Sequence, residues 1–565
     1  MHAESPLKEL GQKRLLARLF EELSSVMITF ATRQINHLRI DLSIGKNHEL
    51  PKDPCMFTLQ NLRSKSEVGR RFTAACWFIG IVLSTITLLS QDCSAVAKKP
   101  VNIIFLMTDD QASYSLGCYG NPDVKTPNID QLARQGMMFD RHYTTTAICM
   151  GSRATVMTGL YEYRHGCNFD RGPLAEEFWQ QSYPNLLRRA GYVTAFAGKF
   201  GFEVEMEGES TTVLPSHDFD VWGGGPGQTD FKTEKNPSMA KYAKAYPHAS
   251  RAYGAFGADF IKTAATGDKP FCLSVSFKAP HRPVQPDPMF DGVYQGTKFL
   301  KPANYGREFG QHFSMQSRQG RQYERFDSWG YRDQYDEVMA KYHQLVHGVD
   351  VAVGMIMEAV QRAAVADNTV IIFTSDNGYF CGSHGYGSKV LPYEEGSRVP
   401  LIIFDPRHVN SGKNIRCQEL TGSIDFAPTI LDLAGVRIPR KLDGRSLLPL
   451  YDQPQKPIHE SLQLINVWGP VACHSFAVMT KRHKYIYWPW EKDNFKPAEE
   501  IYDIPSDPLE LVNIAELPLR EANIPVLNQM RKIYAEAVGD WTTNAFHKHG
   551  YSEYGPIFDR DIPWK

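Results

Sequence analysis

VNIIFLMTDD, Val101 to Asp110, is the stretch that decides the fold. A mostly apolar run of strand length passes directly into three short oxygen-bearing side chains, Thr108, Asp109 and Asp110. An apolar run that does not alternate with polar residues fits a strand covered on both faces, as in parallel sheets. TVIIFTSDNG, Thr369 to Gly378, repeats the pattern and ends in Asp376-Asn377. Tyr192–Ala197, Phe271–Phe277 and Val399–Phe404 read as further buried parallel strands. Helical segments separate them. Thr126-Pro127 opens one that carries Ile129, Leu132 and Ala133 and stops at Gly136, and Tyr183–Ala190 is another. A long one runs from about Asp336 to Ala366, with apolar residues every three or four positions. Strands alternating with helices predict an α/β fold: a large, mostly parallel sheet with helices on both faces. In such sheets the chemistry gathers at the carboxyl ends of the strands.

This main domain spans about residues 98–450. From 451 to 565 the texture changes to a hairpin, Ser475–Thr480 with Lys484–Trp488, and an aromatic-rich tail, which predicts a smaller C-terminal α+β domain. Across 565 residues, 62 Lys and Arg balance 63 Asp and Glu, so no basic excess points to nucleic acid. At the other end, Phe72–Ser90 carries no charge, comes after Arg70-Arg71 and precedes the small-residue stretch Ser94–Ala97. Residues 72–97 follow an extension over 1–71 and read either as a signal peptide, with the true start of translation near Met56, or as an uncleaved membrane anchor. Either reading exports the chain beyond Ala97, to the periplasm or the exterior. Seven cysteines remain after Ala97, an odd number, which leaves room for one special thiol.

Asp109, Asp110, Asp376 and Asn377, delivered to one sheet edge by two strands, form a hard-oxygen set suited to Ca²⁺ or Mg²⁺ rather than Zn²⁺. Either pair alone reads equally as helix caps or turns. Cys149 opens a helical stretch and Arg153 lies one turn on, an arrangement that favours a neighbouring anion. Lys199, His281 and Lys389 each come after a strand and add positive charge to the same edge. A metal with this ring of cations suits an oxyanion of high charge.

These residues sit in NIIFLMTDD, TPNIDQLARQGMMF, CMGSRATVMTG, GYVTAFAGK, KAPHRP, TSDNG, YEEGSRVPLIIF and DFAPTILDLAG. In content and order, the chain from Val101 to about Leu450 resembles the type I sulfatases of the alkaline phosphatase superfamily. IYDIPSDPLELVNIA resembles the C-terminal segment of that family. The resemblance implies that a formylglycine-generating enzyme oxidises Cys149 to formylglycine, and that the enzyme hydrolyses sulfuric esters. It implies one Ca²⁺ held by Asp109, Asp110, Asp376, Asn377 and modified Cys149. Arg153 would stabilise the modified residue, Lys199 and Lys389 would neutralise sulfate oxygens, and His281 would protonate the leaving oxygen. The substrate expected is a sulfated carbohydrate or glycosaminoglycan, with aryl sulfates as surrogates.

Two positions depart from the family pattern. Gly151 stands where Pro or Ala is usual, and Gly201 stands where Lys199-x-His is usual, leaving His142, His217 or His384 as stand-ins for the missing histidine. Two alternatives stay open: a phosphatase or phosphodiesterase of the superfamily, which would need two Zn²⁺, and a degenerate binder of sulfated glycans. Loops near 204–250 and 289–332 carry Trp222, Tyr323, Arg325, Trp329, Tyr331 and Arg332 and are the expected sugar-binding rim.

Overall fold

Strand β1, Asn102–Asp109, lies inside an eight-stranded sheet. The other strands, in chain order, are β2 (Met137–Phe139), β3 (Val193–Lys199), β4 (Val221–Gly225), β5 (Phe271–Pro280), β6 (Thr369–Ser375), β7 (Leu401–Phe404) and β8 (Ile415–Cys417). The spatial order is β8-β2-β7-β6-β1-β5-β3-β4. This computed structural model describes residues 100–563 apart from 207, 209–211, 439 and 517. The expected extension (1–71) and signal or anchor (72–97) lie outside the described residues.

The pleat explains the continuous apolar runs. Ile104 and Leu106 enter one hydrophobic core, Ile103, Phe105 and Met107 the other, and β6 divides its residues likewise. Helices α1 (Pro127–Gln135), α4 (Ala249–Ala264) and α5 (Tyr335–Arg362) cover the first face. Helices α2 (Cys149–Thr158), α3 (Tyr183–Arg189) and α6 (Phe426–Leu433) cover the second. One expectation fails. The Val399–Phe404 run folds as β7, but it pairs antiparallel with both β6 and β2. Between β6 and β7 the chain runs through the loop that carries Lys389 and the single-turn helix Glu394–Ser397, with no long helix to cross a face of the sheet, and it returns antiparallel beside β6.

The C-terminal residues form an antiparallel four-stranded sheet: β9 (Ser461–Asn466), β10 (Ser475–Thr480), β11 (His483–Trp488) and β12 (Ala498–Asp503). Helix α7, Ile524–Asn544, packs Tyr534 and Trp541 against it. All seven cysteines from Cys118 to Cys473 are unpaired. Among the described residues no helix is long and apolar enough to cross a membrane.

Buried ionisable groups set how stability varies with pH. Burial lowers His142, His165 and His343 to about 3 and His474 to about 4. It raises Glu162 and Asp350 to about 7. Below about pH 6.5 the unfolded chain binds protons on these histidines that the folded chain refuses, so stability rises with pH up to that point. The two carboxyls act oppositely below about pH 7, because the folded chain keeps their protons and the unfolded chain does not. Glu510, raised to about 8, acts with them, so the two sets of buried groups pull stability in opposite directions between about pH 5 and 7.

Candidate active site

Asp109 continues the parity of Ile103, Phe105 and Met107, so its carboxylate emerges on the α2 face of the sheet. Asp110 then breaks the alternation with a left-handed backbone (φ 65°), held by Tyr342, whose hydroxyl donates to the Asp110 carbonyl at 2.8 Å. From β6, Asp376 accepts the Asp110 amide at 3.2 Å, and Asn377 Nδ2 donates to Asp110 Oδ1 at 2.7 Å. Three carboxylates and an amide thus meet with almost no solvent contact.

Cys149 is the first residue of α2, as its sequence suggested, and its Sγ donates to Asp109 Oδ1 at 3.2 Å. One turn later, Arg153 is fully buried. It pairs with Asp376 (2.9 Å) and Asp109 (3.3 Å) and donates to the Lys199 carbonyl and Ser276 Oγ. Gly198 (φ 100°) reverses the pleat at the end of β3, so Lys199 reaches Asp109. A Cβ at 198 would lie 1.9 Å from the Ser276 carbonyl oxygen, so only glycine fits there. Lys389 contacts Asp110 and sits 2.7 Å from Cys149 Sγ. Its neighbours Ser388 (φ 71°) and Val390 (φ 91°) both adopt left-handed backbone, a local strain that holds the ammonium inward. His281, just past β5, has Nε2 3.7 Å from Asp110 Oδ2. All nine residues singled out in the sequence converge here.

Electrostatics result from this packing. Burial alone would raise Asp109, yet Lys199, His281, Arg153 and Lys389 together hold it well below the carboxylate range. Burial and the charge of Asp109 raise Asp376. Burial would lower Lys389, but Asp110, Cys149 and Asp109 hold it well above its usual value. Burial, reinforced by Asp109, pushes the Cys149 thiol up to about 12, so it is not a thiolate at neutral pH.

The donor set fits a hard cation. Asp109, Asp110, Cys149 and His281 each offer an atom within 4.8 Å of the others. Asn377 Oδ1 is buried without a hydrogen-bond partner, and Asp376 is a carboxylate crowded by another. Carbonyl and carboxylate oxygens with only one imidazole suit Ca²⁺ better than a pair of Zn²⁺ ions.

The structure also explains both departures from the family pattern. At Gly201 (φ 92°) a Cβ would stand 2.3 Å from Arg153 Cδ, so Arg153 fills the space a side chain would need. At Gly151 a Cβ would meet Glu162 Oε2 at 2.7 Å, and Asn168 and Tyr551 hold that carboxyl in place. None of the three histidines considered as stand-ins reaches the centre. His142 bonds Thr421, His384 bonds Asn304 and the Phe309 carbonyl, and the carbonyl of His217 accepts from Arg188. Gly201→His should displace Arg153 and lower kcat/KM by about 10-fold or more. Unchanged kinetics in a folded variant would show that Arg153 has room to move.

The centre opens into a cleft of about 690 Å³ lined by Cys149, His281 and Lys389 together with Phe169, Arg282, Arg321, Arg325, Trp329 and Trp468. Of the expected rim, Arg325 and Trp329 lie there. Tyr331 is fully buried, Trp222 stacks on Phe196, and Arg332 pairs with Asp327. The sequence reading missed Arg282, Arg321, Trp468 and Lys278, a buried lysine that senses the charge of Asp109. KAPHRP held a signal for Lys278 and Arg282, since both flank His281 at a strand end. No local signal marked Arg321 or Trp468.

The profile of the family described as Sulfatase matches residues 101–436. That of N-sulphoglucosamine sulphohydrolase, C-terminal, matches residues 382–536. The N-acetylglucosamine-6-O-sulfatase of Bacteroides thetaiotaomicron is 29% identical over 480 residues, covering 74% of this chain and 83% of its own. The human N-acetylgalactosamine-6-sulfatase is 27% identical over 479 residues, covering 75% and 79%. A solved structure described as a complex with its substrate, D-glucosamine-2-N,6-O-disulfate, superposes with a TM-score of 0.66 at 25% identity, covering 79% of this chain and 99% of that one. The phosphonate monoester hydrolase of Agrobacterium radiobacter shares the fold at a TM-score of 0.61 and 20% identity, covering 77% and 96%. With its motifs spread across residues 101–436 and their side chains gathered around Cys149, the chain belongs to the sulfatase family.

Proposed function

We propose that this protein is an exported sulfatase that releases inorganic sulfate from a sulfated carbohydrate of the glycosaminoglycan type. Its catalytic domain would be residues 98–450, and residues 451–565 would add Trp468 to the cleft wall. The observation that carries the reading is Cys149 at the start of α2, touching both Asp109 and Lys389. A thiol with a pKa near 12 is a poor nucleophile at neutral pH, and oxidation of Cys149 to formylglycine would replace it with a hydrate oxygen able to attack sulfur. Asp109, Asp110, Asp376 and Asn377 would hold Ca²⁺, which supplies Lewis acidity to that oxygen and to the sulfuryl group.

This chain's own side chains do the rest. Arg153, locked by four partners, fixes the carboxylates and the start of α2. Lys199 and Lys389 bring fixed positive charge to the sulfuryl oxygens, already oriented and already desolvated. His281 Nδ1 faces the Arg282 carbonyl, which can only accept, so Nδ1 carries a proton and Nε2 faces the centre bare. Burial lowers its pKa to about 4, with Lys389 and Lys199 contributing, while Asp110 and Asp109 oppose. The negative charge of a bound ester favours protonation of Nε2, which then passes the proton to the leaving alcohol.

A leaving-group comparison tests this role. His281→Ala should cut turnover of a sugar sulfate by about 10²–10³-fold and that of a nitrophenyl sulfate, whose phenolate needs no proton, by less than about 10-fold. Equal losses on both would remove His281 as the acid. Sulfate release from a panel of sulfated mono- and disaccharides, with metal content measured on the same preparation, tests the whole reading. Two zinc ions per chain together with faster phosphate-ester cleavage would favour the phosphatase alternative. Release from none of the panel, with binding retained, would favour the non-catalytic binder.

A further inference from the structure

One wall of the active-site cleft carries three arginines that the chemistry above does not use. Arg282 comes directly after His281, and Arg321 and Arg325 lie one turn apart on the short helix Arg321–Ser328. The guanidinium of Arg282 lies 4.3 Å from the Trp329 ring centre and that of Arg325 4.2 Å from it; Arg321 lies 4.9 Å from the ring centre of Trp468. Arg325 Nη1 also donates to Ser388 Oγ at 2.8 Å, directly beside Lys389 in sequence. The wall therefore adjoins the sulfuryl-binding lysine.

Among the described residues none of the three forms an ion pair. The contrast with their surroundings is informative. Arg307 and Arg332, packed against the same helix, are both neutralised by Asp327. The two carboxylates that line the cleft are engaged elsewhere: Asp110 with Lys389, and Asp170 as acceptor of the Gly469 amide at 2.9 Å. Each guanidinium sits over a tryptophan ring, a contact that supplies no counter-charge. Three like charges held together with no carboxylate in ion-pair contact are a preformed receptor for an anion, and guanidinium forks match carboxylate and sulfate oxygens. Phe169, 44% exposed, and the half-buried Trp468 offer apolar surface for a sugar ring beside them.

We propose that Arg282, Arg321 and Arg325 form a subsite for a second anionic group, a carboxylate or a further sulfate, carried on the same saccharide as the sulfate that is cut. The preferred substrates are then at least doubly anionic. The proposal rests on the sulfatase reading only for the group that is cut, not for the binding of its neighbour.

Binding to the full-length Cys149→Ala protein separates the two. Calorimetric titrations would use three probes: N-acetylglucosamine 6-O-sulfate, glucosamine 2-N,6-O-disulfate, and a disaccharide of N-acetylglucosamine 6-O-sulfate with a hexuronic acid. One or both doubly anionic probes should bind at least about 10-fold more tightly than the first, and which of them does so identifies the second group as sulfate or carboxylate. Arg321→Gln and Arg325→Gln, each on the Cys149→Ala background and each checked for an unshifted melting curve, should remove most of that advantage. Equal affinity for the three probes, no binding by either doubly anionic probe, or an advantage that survives both substitutions would overturn the subsite. Preferential binding by a protein whose unsubstituted, oxidised form releases no sulfate would support the subsite and defeat the reaction assigned above.

Discussion

Cys149→Ala should lower kcat/KM for sulfated saccharides by at least about 10⁴-fold while leaving the melting temperature nearly unchanged. The size of the loss comes from the position. Among the described residues, 149 alone is placed to deliver a nucleophile between Asp109, Lys389 and the start of α2, and the other cations can only stabilise an attack that no longer occurs. Stability should hold because the thiol contributes only two sulfur hydrogen bonds, one to Asp109 and one from Lys389, to a centre tied together by ion pairs. Cys149→Ser sharpens the test. A phosphatase of the same superfamily would keep or gain activity with a hydroxyl here, whereas a formylglycine enzyme would lose turnover as it does with alanine. In protein made by a host able to modify it, the peptide containing Cys149 should be lighter by about 18 Da, one sulfur exchanged for one oxygen and two hydrogens lost. Full activity with an unmodified thiol would end the formylglycine assignment.

The second large effect is expected at Asp109, for a different reason. Asp109 is the common partner of Lys199, Arg153, Lys389 and Cys149, and all of them are buried. Asp109→Ala takes from buried Lys199 its ion-pair partner, while Arg153 keeps Asp376 and Lys389 keeps Asp110, and the unpaired charge should cost about 3–5 kcal/mol of stability. The near-isosteric Asp109→Asn keeps the volume and some hydrogen bonds but not the charge. It should fold more readily, bind less metal, and still lose at least about 10³-fold in kcat/KM. The pH dependence has a definite sign. The folded pKa of Asp109 lies well below its unfolded value, so its stabilisation is complete above about pH 4 and is lost as pH falls through the folded value. The gap in melting temperature between the unsubstituted protein and Asp109→Ala should therefore be widest at neutral pH and shrink in strong acid. A gap independent of pH would mean that the charge of Asp109 is not what stabilises the centre.

Much of this centre was readable in the chain because the fold places it by rule. A strand buried on both faces needs apolar residues at every position, and the first polar residues after it must mark its carboxyl end. Asp109, Asp110, Asp376 and Asn377 were therefore assignable to one sheet edge before any geometry was known. Cys149 and Arg153 were legible as a pair because helical spacing places them on one face. Gly201 and Gly151 were visible as departures, but their cause was not: the space at Gly201 is taken by Arg153, 48 residues earlier, and that at Gly151 by Glu162, which Tyr551 holds from the far end of the chain.

By itself, then, the sequence placed Asp109, Asp110, Asp376 and Asn377 at strand ends and Cys149 and Arg153 one helical turn apart, because each is written in a local pattern of a few residues. Only the tertiary structure decided that β7 runs antiparallel, since an apolar run reports burial on both faces and is silent about direction. Only the tertiary structure brought Arg321 and Trp468 to the cleft and took Tyr331 and Trp222 out of it. A loop residue's exposure depends on what packs over it from distant parts of the chain, and no short-range periodicity encodes that.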